Sequence, residues 1–339
     1  MLNGKSIFLS GGTGSFGNAF VSHCLKNFPD IKKLIIFSRD ELKQHEMQQL
    51  FSDTEYPQLR YFIGDIRDKN RLYRAMEGVD MVVHAAALKH VSVAEYNPFE
   101  FIQTNIIGTQ NLLDVALDHN VENFIALSTD KASSPTNLYG ATKLCADKLV
   151  IAANNIRGSR KTKFSVVRYG NVFGSRGSIV PLFFHQKRTN KITITDNSMT
   201  RFNISLEDGV LMVLWSLMNN FGGEILVPAI PSYRVNDMAE AIAPNCKIEE
   251  IGIRPGEKLH EEMISISDSP NTLRFKDYFV ILPQGNTSIY EHYIQNMNAE
   301  TVPHNFSYSS ETNDNFLSVE DLKILADEYI QSASKKKFN

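Results

Sequence analysis

Short apolar runs and amphipathic stretches take turns along the first half of this chain. The runs SIFLS (6–10), KLIIFS (33–38), RYFIGD (60–65), MVVHAAA (81–87), NFIALST (123–129), FSVVRYG (164–170) and EILVP (224–228) are rich in β-branched and aromatic residues. Several are almost continuously apolar, as strands covered on both faces must be. Between them, RDELKQHEMQQLF (39–51), RDKNRLYRAME (67–77) and PFEFIQTNIIGTQNLLDVALDH (98–119) carry apolar residues at helical spacing. Alternation of this kind predicts parallel strands joined by right-handed crossovers, hence an α/β fold with a doubly wound parallel sheet of the Rossmann type.

The regular alternation ends near residue 171. Loops such as GSRGSIVP (174–181) and ITDNSMTRF (194–202), a helix around 207–219, a late strand and a Pro-interrupted C-terminal region follow. No Gly/Ser- or Pro-rich linker separates the halves. The expected organisation is therefore a dinucleotide-binding domain over 1–171, its sheet completed by 204–230. A smaller interleaved substrate-binding region would take 172–203 and 231–339.

Composition narrows the class. Apolar residues make up 42% and charged residues 22%, with a net charge of −3, which gives no bulk attraction to nucleic acid or an anionic membrane. The apolar run before the first glycines is too short for a signal peptide, and no stretch reaches a membrane span, so a cytoplasmic protein is expected. Cys24, Cys145 and Cys246 are an odd count without metal-type spacing and read as reduced thiols. His84, His90 and His260 have no metal spacing either, and no metal site is expected. The tail SASKKKFN (332–339) reads as a solvated end.

Two constellations carry chemistry. The first strand runs into GGTGSFG, where Gly11, Gly12, Gly14 and Gly17 form G-G-x-G-x-x-G at a strand–turn–helix junction. Such glycines let the backbone turn tightly and approach a pyrophosphate at the helix N-terminus. The second strand ends in Ser38-Arg39-Asp40, where an NAD site would put an acid. The Arg39 guanidinium suits a 2′-phosphate, so NADP is favoured, while Asp40 keeps NAD open. Asp65, at the end of the third expected strand, is placed to meet the adenine, and Ala85, Ala86 and Ala87 allow close approach. The second constellation is Tyr139-x-x-x-Lys143, on a helix after the fifth strand, with Thr129 at that strand's end. Lys143 would reach the ribose and lower the Tyr139 pKa, so that Tyr139 accepts the proton of an alcohol as hydride leaves.

The sequence resembles the extended short-chain dehydrogenase/reductase family. More closely, it is similar to the inverting UDP-N-acetylglucosamine 4,6-dehydratases (5-epimerising) that begin pseudaminic acid synthesis for flagellin glycosylation. The resemblance runs from Lys5 to about Ser310. It rests on GGTGSFG (11–17), SRDELKQ (38–44), FIGDIRD (62–68), HAAALKHV (84–91), AEYNP (94–98), LSTDKA (127–132), NLYGATK (137–143), RYGNVFGSRGS (168–178), TRF (200–202) and GIRPGEKLHE (252–261).

Where retaining relatives carry Thr-Asp-Glu, this chain has Thr129-Asp130-Lys131. The resemblance implies that Lys131 removes the carbon 5 proton and returns one to the opposite face, while Asp130 helps the carbon 6 hydroxyl depart. Such a base needs a depressed pKa, which burial and the nearby cations Lys143, Lys89 and the oxidised nicotinamide would supply. The resemblance also implies cofactor contacts from Thr13, Ser15, Phe16, Lys43, Ile66, Lys89 and Thr104, alongside Tyr139 and Lys143. For the substrate, UDP-N-acetylglucosamine, it implies Lys89, Asn171, Arg201, Arg254 and Glu257, the two arginines facing the diphosphate. It implies a homo-oligomer as well, dimer-based and up to a hexamer, with the apolar helix 98–118 as a suitable interface.

Three rival readings remain. A UDP-sugar 4-epimerase oxidises carbon 4 but eliminates nothing, and has no use for Asp130–Lys131. Capsular-sugar dehydratases with added 3-epimerase activity carry methionine in the place of Tyr139. A redox-sensing NADP-binding protein on the same fold would typically lack the Tyr/Lys pair.

Overall fold

The computed structural model describes residues 2–175 and 177–338, the last seven as backbone only. The basic tail from Ser332, expected as a solvated end, therefore lies outside the described side chains.

The first six strands of the main sheet are all parallel: β1 (Ser6–Ser10), β2 (Lys33–Ser38), β3 (Leu59–Ile63), β4 (Met81–His84), β5 (Asn123–Thr129) and β6 (Lys163–Tyr169). Their order is β3-β2-β1-β4-β5-β6, so the chain reverses direction across the sheet between β1 and β4. The strand Ile225–Pro228 joins β6 in parallel. Beyond it lie three antiparallel strands, Tyr278–Ile281, Thr272–Phe275 and Glu300–Thr301, making ten in all. These three lie in the stretch the sequence reading gave to the smaller region. A hairpin needs only a tight turn, here Lys276–Asp277 with Lys276 at φ 48°, so it extends a sheet edge without a crossover helix.

The alternation along each strand divides two cores. Ile7, Leu9, Leu34 and Ile36 belong to one face, with Phe20, Val213 and Leu217 covering it. Phe8, Ile35 and Phe37 belong to the other, under Leu112, Leu113 and Val150. A strand buried on both sides needs this doubled apolar pattern, and the sequence shows it. A third core ties Val180, Phe183 and Ile192 to Met238, Ile242 and Leu322, forming the smaller region. No helix among the described residues is long and apolar enough to cross a membrane.

Two expected elements differ in detail. The strands expected over 60–65 and 81–87 stop at Ile63 and His84, so Asp65 and Ala85–Ala87 are in the loops at the strands' C-terminal ends. The single helix expected over 98–119 is three pieces: α-helix Pro98–Phe101, a π-helical stretch Ile102–Ile107, and α-helix Gly108–Asp118. The wider π turn sets Thr104 and Asn105 inward, both buried.

Candidate active site

The first βα turn is built around two close approaches. Gly11 has φ +69°, a left-handed conformation, and a Cβ there would stand 2.8 Å from the backbone of Ala86. A Cβ on Gly17 would stand 2.1 Å from the Gly12 carbonyl oxygen, so glycine lets the helix Ser15–Asn27 pack onto the turn. The turn thus lies against the segment after β4, at the sheet's point of reversal, where α/β sheets open a crevice.

A cleft of ≈ 670 Å³ opens there. Gly11, Thr13, Gly14, Ser15, Phe16 and Gly17 line one end. Ser38, Arg39, Asp40 and Lys43 line the wall after β2, and Ile66, Ala85, Ala86, Ala87, Lys89 and Thr104 line further parts. Thr129, Lys131, Tyr139, Lys143 and Asn171 complete it. The crevice therefore gathers most of the residues expected to hold a dinucleotide and most of those expected to do chemistry.

Asp65, Asp130, Arg201, Arg254 and Glu257 are not among the lining residues. Asp65 accepts from Arg67 Nη2 at 2.7 Å and meets Arg39 Nη1 at 3.5 Å. Arg201 is buried and donates to the carbonyls of Thr200 (2.7 Å), Leu259 (2.9 Å) and Lys258 (3.0 Å). It also faces Glu257 at 3.7 Å, so its guanidinium joins two segments of the protein rather than facing the cleft. Arg254 is exposed on the loop after residue 250. Asp40 accepts from the Lys43 backbone N–H at 3.0 Å as the N-cap of helix Glu41–Leu50, and the Lys43 ammonium stands 2.7 Å from its other oxygen.

Tyr139 and Lys143 share one face of helix Leu138–Ile156. The Asn137 side chain caps this helix by accepting from Gly140 N–H at 2.8 Å, and donates to the Gly256 carbonyl at 2.7 Å. A Cβ on Gly140 would stand only 2.2 Å from the Lys131 carbonyl oxygen, so glycine lets the helix start press against the 3₁₀ turn Asp130–Ala132. Lys143 donates to the Leu127 carbonyl at 2.7 Å. Asn105, turned inward by the π stretch, brackets Leu88 with two hydrogen bonds of 2.9 Å and donates to Thr142 at 3.0 Å. It locks the cleft wall to the helix that bears Tyr139. A polar residue inside an apolar helical run was its only sequence signal.

Lys131 lies at the centre of a charged cluster. Its Nζ is 3.1 Å from Asp130 Oδ1, 2.9 Å from Glu261 Oε1 and 3.5 Å from Asn171 Oδ1. Thr129 Oγ1 also donates to Asp130 Oδ1, at 2.9 Å. Asp130 is fully buried, and its Oδ2 lies beneath Gly170 in the cleft floor, where an added Cβ would approach it to 3.3 Å. Burial and the neighbouring Glu261 raise the Asp130 pKa, against the pull of Lys131. Glu261, also buried, was not singled out in the sequence; an acid in the polar run GEKLHE carries no local mark of burial.

Two electrostatic expectations are corrected. Burial does push the Lys131 pKa down, but the Asp130 and Glu261 carboxylates outweigh it and the net direction is up. Tyr139 is pushed up to about 12 by burial, and Lys131 and the Thr129 hydroxyl are the main groups opposing that rise. Burial lowers the Lys143 and Lys89 pKa values.

Residues 7–283 match the model of a family described as polysaccharide biosynthesis protein. The chain is 51% identical over 328 residues to a UDP-N-acetylglucosamine 4,6-dehydratase (inverting) of Campylobacter jejuni, covering 95% of this chain and 97% of that one. It is 42% identical over 296 residues to a UDP-glucose 4-epimerase of Rickettsia rickettsii, covering 85% and 86%. Among solved structures it superposes on Pen from Bacillus thuringiensis with a TM-score of 0.88 and 39% identity, covering 97% of this chain and 99% of that one.

Proposed function

The chain belongs to the polysaccharide biosynthesis protein family, on the extended short-chain dehydrogenase/reductase fold, and from that premise we propose that it is an NADP-dependent, inverting UDP-N-acetylglucosamine 4,6-dehydratase. The product would be UDP-2-acetamido-2,6-dideoxy-β-L-arabino-hex-4-ulose. The observation that carries the reading is the Lys131–Asp130 pair, at 3.1 Å, in the same cleft region as Tyr139 and Thr129. Alcohol oxidation alone has no use for a second acid–base pair; elimination of water needs both members.

The glycine cradle and the crevice fit a dinucleotide. Bound there, NADP would accept hydride from carbon 4 and return it at carbon 6, so turnover uses no net reductant. Arg39, half exposed, is free to meet a 2′-phosphate at the price of a long contact to Asp65, while Asp40 is engaged as a helix cap. Both favour NADP over NAD.

Tyr139, a neutral phenol at rest, first gives its own proton to solvent and then takes that of the 4-hydroxyl as carbon 4 becomes a ketone. The ketone acidifies the carbon 5 hydrogen, and Lys131 removes it. Asp130, its pKa raised by burial, holds a proton to give to the departing carbon 6 hydroxyl. Lys131 then returns a proton to the opposite face of carbon 5. Lys89 and Asn171 line the cleft and would position the sugar; Arg201, engaged with backbone carbonyls, and Arg254 and Glu257, outside the lining, would reach the diphosphate and ribose only if side chains around them move. Pseudaminic acid synthesis for flagellin glycosylation is the pathway this product would enter, in the cytoplasm.

The epimerase reading has its own support in the Rickettsia relatives, and a dehydratase with added 3-epimerase activity is the other alternative. Proton NMR of UDP-N-acetylglucosamine incubated with the protein and catalytic NADP separates them. A new 6-methyl doublet with no consumption of NADPH supports the dehydratase; a hexose epimerised at carbon 4 with carbon 6 intact contradicts it, and inversion at carbon 3 marks the other alternative.

A further inference from the structure

The charged cluster beneath the cleft contains one group that the proposed chemistry leaves without a task. Glu261 is buried and reaches Lys131 Nζ at 2.9 Å, closer than Asp130 does. It comes from the chain just before strand Glu262–Ile264, far in sequence from the turn that carries Lys131. Its backbone N–H donates to Ser310 Oγ at 2.9 Å and its carbonyl accepts from Ser310 N–H at 2.8 Å, so the residue is fixed from both sides. Glu261 Oε2 has no hydrogen-bond partner. Taking such a carboxylate out of water is costly unless it is compensated, and its nearest cation is Lys131, with Arg201 Nε second at 3.8 Å.

We propose that Glu261 is the positioning residue for Lys131: its fixed negative charge holds the ammonium over the turn and sets how the proton is shared between Lys131 and Asp130. The proposal rests on the dehydratase reading for its catalytic meaning, though not for its electrostatics. Elimination needs a neutral amine and a protonated carboxyl, and the resting pair becomes so when one proton passes from Lys131 to Asp130 across 3.1 Å. No charge is created in that transfer. Glu261 acts on both ends of it. It holds the proton on Lys131 at rest, raises the proton affinity of Asp130, and stabilises the ammonium that forms as Lys131 takes the carbon 5 proton.

The other charges facing Lys131 are few. Arg201 and Lys258 approach from the side of Glu261, and Lys89 from the cleft wall. Tyr139 and Tyr233 face it as neutral phenols with raised pKa values. Among the described residues the negative charge opposite Lys131 therefore comes from Asp130 and Glu261.

The test reads the neutral fraction of Lys131 directly. The full chain is pulsed with trace acetic anhydride across a pH series, and acetylation of Lys131 is followed by mass spectrometry of its peptide, in wild type, E261Q and E261D. Removing an opposite charge at this range shifts a pKa by about 1–3 units. At any pH below both midpoints, E261Q should therefore acetylate Lys131 at least about tenfold faster, and should level off at lower pH. E261D keeps the charge but withdraws it, and should shift the profile the same way by less. A merely structural role would scale the rate at every pH without moving the levelling point. A folded E261Q or E261D with the wild-type profile would overturn the proposal. If wild type does not convert UDP-N-acetylglucosamine, the functional reading falls while the acetylation profile still decides the role of Glu261.

Discussion

An ammonium held by two carboxylates, as Lys131 is by Asp130 and Glu261, has to lose its proton before it can act as a base. Lys131→Ala should keep NADP binding and some oxidation at carbon 4, because Tyr139 and Lys143 remain. It should lose carbon 5 exchange with solvent, and the elimination that follows, by ~10²–10⁴-fold. Single-turnover absorbance of the reduced cofactor, beside deuterium uptake at carbon 5, separates the two steps. Equal loss of both would make Lys131 a structural residue. Arg39→Ala should weaken NADP by ~1.5–3 kcal/mol and leave NAD almost unchanged, by titration; equal losses would mean that Arg39 does not read the phosphate. At this scale the local motifs were readable because glycine spacing and Tyr-x-x-x-Lys are local facts. The direction of the Lys131 pKa was not, since Glu261 meets it only through the fold.

Elements place these side chains, and here legibility followed burial. β1, β2 and β5 have the ends expected of them, and most of their positions are buried. The π stretch at 102–107 escaped because an apolar run with helical period reads alike whether its turn has 3.6 residues or more. The contact between helix Leu138–Ile156 and the Asp130–Ala132 turn gives a steric test. Gly140→Ala puts a methyl 2.2 Å from the Lys131 carbonyl oxygen, so the turn has to move. Stability should drop by about 1–3 kcal/mol in urea unfolding, and the dehydration rate should drop with it; wild-type values for both would show that the contact is slack.

His84 in β4 gives a pH test. It lies between Ser10 Oγ at 2.7 Å and Thr109 Oγ1 at 2.9 Å, and burial, aided by Lys143, holds its pKa at about 3. The unfolded imidazole takes up a proton near ~6.5 while the folded one stays neutral. Its contribution is therefore complete above that pH and is lost progressively as the pH falls toward 3. Calorimetry should show His84→Gln with a flatter decline of Tm below pH 6.5 than wild type. Parallel curves would assign the decline to other groups.

At the scale of the whole molecule, the sheet's reversal between β1 and β4 sets where a cofactor would lie, and Asn171, Val172, Ser175, Gly177 and Ser178, after the last of the six strands, line the same crevice. The alternation of strands and helices was enough to foresee a doubly wound sheet, though not its strand order. The late antiparallel edge was harder, because a hairpin after a helical region carries no crossover pattern. Exposed Val93, Tyr96, Phe99 and Ile107 gather on and beside the 98–118 segment, which supports the homo-oligomer proposed from it. Sedimentation at micromolar concentration should give a dimer or a multiple of one, and a monomer would contradict that proposal.

The central claim is inversion at carbon 5 by the Asp130–Lys131 pair, and one measurement meets it directly. Wild-type enzyme is run in heavy water with UDP-N-acetylglucosamine and catalytic NADP, and the product is read by NMR. The account predicts deuterium at carbon 5 in a 4-keto-6-deoxy sugar of L-arabino configuration. A D-xylo product, or one that keeps the substrate's own hydrogen at carbon 5, would contradict it.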